Sequence, residues 1–76
     1  MTKSEIKKKV KFKIKELKNI YNQLDVLMDE TYITAKEMVG IKTETQIDEM
    51  VSLGNRIESA RNTVEESYEH LKGGIF

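Results

Sequence analysis

Apolar residues recur along this chain with the period of an α-helix from the first turns onward. Val10, Leu17, Leu24, Thr31 and Met38 fall on one heptad line, position a. Ile6, Ile20 and Leu27 fall on a second, position d, with Lys13 and Thr34 as its polar members. Ile14, Tyr21, Met28 and Ala35 form a third, position e. Three apolar lines per heptad make a stripe broader than a two-stranded seam requires. The richest part, Leu17 to Met28, is expected at the centre of the core.

The pattern predicts a first helix over about 4–39. Ser4 is its expected N-cap, and Gly40 is its stop, because glycine takes the left-handed conformation at little steric cost. Lys9 to Lys15 alternates polar and apolar residues, which is a strand signature. No second alternating segment exists to pair with it, so helix is the reading there. A connector over 40–44 follows, with Thr43-Glu44-Thr45-Gln46 carrying capping-box spacing.

Beyond it, Met50, Leu53, Ile57, Ala60, Val64, Ser67 and Leu71 keep a 3-4 spacing over three heptads, and Tyr68 thickens the stripe. This predicts a second helix over about 44–72. Gly54 within it costs about 1 kcal/mol relative to Ala, but the heptad pattern crosses it unbroken. Gly73-Gly74 is the expected stop, with residues 73–76 as a loose tail.

Two helices and a short link predict an all-α fold, an antiparallel two-helix hairpin forming a single domain over 1–76. A lone hairpin has one seam and, on this reading, leaves Ile14, Tyr21 and Met28 wet. The expected remedy is a homodimeric four-helix bundle. The residues expected at the dimer or partner interface are Ile14, Leu17, Tyr21, Leu24, Met28, Ile57, Val64 and Tyr68.

Composition changes this picture little. The 76 residues contain no Cys and no Pro, which excludes a disulfide framework, a zinc–thiolate site and a thiol nucleophile. No continuous apolar run suits a signal peptide or a membrane span, so a soluble, cytoplasmic protein is the expectation.

Charge changes it more. Thirteen basic and thirteen acidic residues cancel, but not locally. Residues 1–18 hold eight Lys against Glu5 and Glu16, a net +6, and the remainder carries −6. On the simplest reading the cationic rod is solvated and lies beside Glu58, Glu65, Glu66 and Glu69 in an antiparallel hairpin. A second reading makes Lys7, Lys8, Lys11 and Lys15 a basic patch for nucleic-acid phosphate, although the segment has no Arg to read bases. A third is a basic amphipathic helix on a membrane surface with Phe12 as wedge.

Candidate chemistry is sparse. His70 is the only His, and a cation near a helix C-terminus suits the helix dipole. The carboxylates Asp25, Asp29 and Glu30, and Glu65, Glu66 and Glu69, read as a solvated face. Arg61, at the edge of the stripe, reads as a buried anchor at an interface or, preferably, as a residue that snorkels to an acidic neighbour such as Glu58 or Glu65. No phosphate-cradling loop or nucleophile triad is present. No catalytic residue, cofactor or metal is therefore expected. The sequence predicts a small non-enzymatic protein acting through protein partners, itself included, as adaptor, regulator or inhibitor; nucleic acid is the alternative partner.

Overall fold

The computed structural model describes residues 2–73. Two helices, α1 (Lys3–Glu37) and α2 (Glu44–Lys72), pack against each other as an antiparallel hairpin. Among the described residues there is no strand, and Lys9 to Lys15 is helical. The helices make a rod 59 Å long and about a quarter as thick, with a radius of gyration of 17.5 Å against about 11 Å for a compact domain of this length.

Local chemistry explains the ends. Thr2, not Ser4, caps α1: its backbone is extended and its hydroxyl accepts from the Glu5 N–H at 3.2 Å. Thr2 and Glu5 are three apart, the spacing in which a hydroxyl reaches the third helical N–H. At the other end α1 stops at Glu37, short of Val39. Gly40, at φ 80°, then reverses the chain, and the N–H groups of Ile41 and Lys42 return to the Met38 carbonyl. Thr43 opens α2 with both halves of a capping box, its hydroxyl accepting from the Gln46 N–H and the Gln46 side chain accepting from the Thr43 N–H. α2 then runs through Gly54 without a break.

The seam between the helices uses positions a and e. On α1 it runs Val10, Ile14, Leu17, Tyr21, Leu24, Met28, Thr31, Ala35 and Met38; on α2, Ile47, Met50, Gly54, Ile57, Arg61, Val64, Tyr68 and Leu71. All are half-buried or buried. Two expectations are thereby corrected. Ile14, Tyr21 and Met28 are not left wet but face α2, and it is Ile6, Ile20 and Leu27, at position d, that stand exposed. On α2 the expected line through Leu53, Ala60 and Ser67 is likewise exposed, and its neighbour one residue on is turned inward.

The reason lies in pair contacts. The Tyr32 ring lies against Gly54, where a Cβ would come within 2.5 Å of a ring carbon, so residue 54 rather than 53 must face α1. Arg61 reaches Asp25 across the seam at 2.7 Å. These contacts turn each helix about 50° from an a/d seam toward an a/e seam, given 100° per residue.

The packing is thin. Of the described residues only Thr31, Ala35 and Gly54 are buried, and no large side chain is fully so. The Thr31 hydroxyl is satisfied within its own helix, donating to the Leu27 carbonyl at 2.7 Å.

Candidate interaction surfaces

Three surfaces follow from this seam. The first is the polar edge of the hairpin, on which Tyr32, Asp25, Glu58 and Arg61 meet. The Tyr32 hydroxyl lies 2.7 Å from Asn55 Oδ1 and 3.0 Å from Glu58 Oε2; its single proton serves one acceptor at a time. Burial, and then the hydrogen bond to Glu58, push the Tyr32 hydroxyl above its ordinary pKa. The Arg61 guanidinium donates to Asp25, stacks 5.9 Å from the Tyr21 ring centre, and reaches Asn62. The bond to Asp25 holds Arg61 still more firmly in its charged form. Arg61 is therefore a member of the seam paired across it, rather than a snorkelling residue directed at Glu58 or Glu65. The cluster locks the helices in register, and Arg61 Nε alone among its polar atoms is buried without a hydrogen-bond partner.

The second surface lies at the open end. The contacts of Tyr32 with Gly54, Arg61 with Asp25 and Lys18 with Tyr68 place Lys72 roughly level with Ile14. The first turns of α1 therefore run past the end of α2. Glu58 is too far along the rod to lie beside the lysines, whereas Glu65 and Glu69 line a hollow with Lys18, Tyr21, Asn22 and Tyr68. Tyr68 is flanked by two cations, Lys18 at 5.9 Å and Lys72 at 5.5 Å from its ring centre. Next to it an open groove of about 470 Å³ is lined by Lys8, Lys11, Lys15 and Lys18 with Phe12, Ile14 and Tyr68. Lys7 is exposed but lies outside this groove.

The third surface is the edge opposite the polar cluster. Because Tyr32 and Asp25 on α1 meet Asn55, Glu58 and Arg61 on α2 along one side of the hairpin, the d positions of α1 and the Leu53, Ala60 and Ser67 line of α2 lie together on the other side. Ile20, Leu27 and Leu53 are 43%, 47% and 46% exposed there, and the small Ala60 and Ser67 continue the α2 line beside Leu27 and Ile20.

Of the residues expected at an interface, all eight lie in the intrachain seam. The exposure of the Leu53, Ala60 and Ser67 line of α2, and the cluster around Tyr32 and Gly54, are not legible from the heptad pattern. His70 is exposed near the end of α2, and Asp29, Glu30, Glu65, Glu66 and Glu69 are exposed on helix faces. Among the described residues no three His or acidic side chains converge as a metal site would require, and no helix is long and apolar enough to cross a membrane.

Compared with protein-family models, curated proteins and solved structures, the chain matches none.

Proposed function

We propose that this chain is a small non-enzymatic protein that acts by binding protein, as an adaptor, regulator or inhibitor, and that its hairpins pair into a homodimeric four-helix bundle. The observation that carries the reading is the exposed apolar edge through Ile20, Leu27 and Leu53 on a hairpin with almost no buried core. Apolar side chains exposed along one edge are costly in water and suit an interaction site. The chain exposes 6071 Å², against about 4,800 Å² for a compact monomer of its mass. The excess, on the order of 1,300 Å², follows from the rod shape and the thin core, and a standard interface takes about 800 Å² from each partner. The carboxylates fit a non-enzymatic role, since Asp25 is held by Arg61 and the acidic clusters are solvated.

The reading is tested with Ile20→Asp and Leu27→Asp. Both are expected to weaken self-association in sedimentation and to reduce capture of protein from a native-host extract. Unchanged mass and unchanged capture overturn it.

The open-end groove favours a second reading, in which the chain holds single-stranded nucleic acid. Four lysines supply phosphate contacts, and Phe12, 62% exposed, and Tyr68 supply rings for base stacking. It predicts retention of labelled oligonucleotide at low salt that is lost in a Lys8→Glu, Lys11→Glu, Lys15→Glu triple variant. No retention at low salt removes it.

A further inference from the structure

The exposed line at position d has an order of its own. Ile6, Lys13, Ile20, Leu27, Thr34 and Ile41 recur every seven residues, the first five along the apolar edge of α1 and the sixth in the turn. Ile6, Ile20 and Leu27 are 43–47% exposed and Ile41 is 77% exposed. The series reads alike from either end: apolar, polar, apolar, apolar, polar, apolar. A line of this kind is complementary to a copy of itself run in the opposite direction. Lys13 then meets Thr34 and Ile20 meets Leu27 along the helices, and Ile6 is brought to the partner's turn, where Ile41 is exposed. In parallel and in register, Lys13 faces Lys13, which is unfavourable.

The charges along the rod favour the same direction. The open end carries the +6 of residues 1–18. The turn end, residues 29–50, holds Asp29, Glu30, Glu37, Glu44, Asp48 and Glu49 against Lys36 and Lys42, a net −4. Parallel pairing sets like ends together; antiparallel pairing sets each cationic end against the partner's acidic turn, which fixes orientation more than it adds affinity.

We propose that a second copy of this chain covers the apolar edge in a two-fold, antiparallel arrangement, with Ile20 packed on the partner's Leu27 and the lysine-rich start of α1 over the partner's turn. This rests on the reading that the chain acts through protein contacts, and it names the first partner and its direction. An interface of this kind is isologous, so one edge serves both copies. Ala60, set beside Leu27, widens its apolar centre.

The chain has no Cys, so the test uses introduced ones in the full-length protein. Proteins carrying Ile20→Cys and Leu27→Cys are mixed and mildly oxidised, and the mixed disulfide is expected to exceed either same-site disulfide. Spin labels on Lys42→Cys, exposed in the turn, give an independent distance: antiparallel copies hold them most of the 59 Å rod apart, parallel copies hold them side by side. Same-site disulfides with close labels overturn the antiparallel arrangement and leave self-association standing. A monomer that still captures another protein through Leu27 overturns the dimer alone. A monomer that captures nothing overturns this inference and the reading beneath it.

Discussion

The ring of Tyr32 occupies the space that a side chain on residue 54 would need: a Cβ there would lie 2.5 Å from Cε1 and 2.9 Å from Cδ1. The glycine therefore has a packing role that opposes its local cost. In a free helix, Gly→Ala stabilises by about 1 kcal/mol. In this hairpin Gly54→Ala forces the ring off α2 and disturbs its bonds to Asn55 and Glu58, an overpacking cost of about 1–3 kcal/mol. The expected net effect is a lower urea midpoint. Repeated in a Tyr32→Ala background, the same substitution is expected to change sign and stabilise. A Gly54→Ala protein as stable as the parent would show that the ring moves aside freely.

Asp25 and Arg61 join the helices at 2.7 Å, with side chains 42% and 18% exposed. Partial exposure screens the pair, so its coupling is expected to be small and of the size of other surface ion pairs. Removing Asp25 alone is the harsher change, because it leaves the guanidinium half-buried without its acceptor. A double-mutant cycle with Asp25→Ala and Arg61→Met measures both quantities. The expected order is Asp25→Ala less stable than the double variant, and a coupling indistinguishable from zero would remove the pair from the account of register.

Tyr32 also predicts a pH response. Burial and the bond to Glu58 raise its folded-state pKa above the ordinary 10.0. A raised pKa means that the folded state binds the proton more tightly than the unfolded state. The resulting stability is fully present below about pH 10 and is lost as pH rises through the higher folded value. Thermal midpoints are expected to fall above that point in the parent and less steeply in Tyr32→Phe, which has no proton to lose. Parallel curves for the two proteins would show that other groups govern alkaline unfolding.

The helices, their link and their antiparallel pairing are legible in the sequence because they depend on a local period. The second seam line is not. On α1 the d line (Ile6, Ile20, Leu27) and the e line (Ile14, Tyr21, Met28, Ala35) are both apolar. On α2 the line through Leu53, Ala60 and Ser67 even reads as the better seam than one through Gly54, Arg61 and Tyr68. What decides between them is pairing across the hairpin: Tyr32 with Asn55, 23 residues apart, and Asp25 with Arg61, 36 apart. A heptad count carries no information at that separation. Choosing the other line exchanges which edge is packed and which is offered to a partner. The basic segment was legible as charge, but its projection past α2 depends on where the seam contacts set Lys72 against α1.

This exchange separates two classes of substitution that the heptad pattern alone treats alike. Alanine at Tyr21 or Met28 removes contacts inside the hairpin and is expected to lower its stability by about 1–3 kcal/mol. Alanine at Ile20 or Leu27, each nearly half exposed in the hairpin, removes chiefly the contacts that a partner copy would make. It is expected to leave the unfolding midpoint at high dilution near that of the parent. The parent midpoint should rise with protein concentration, because association stabilises the folded state by mass action. For Leu27→Ala that rise should shrink, and for an Ile20→Ala, Leu27→Ala protein it should nearly vanish. Calorimetry over a hundredfold range of concentration checks both classes in one series. A parent midpoint independent of concentration would mean that the exposed edge is not covered by a second copy. A concentration effect lost in Met28→Ala but kept in Leu27→Ala would place the dimer contact on the seam line instead.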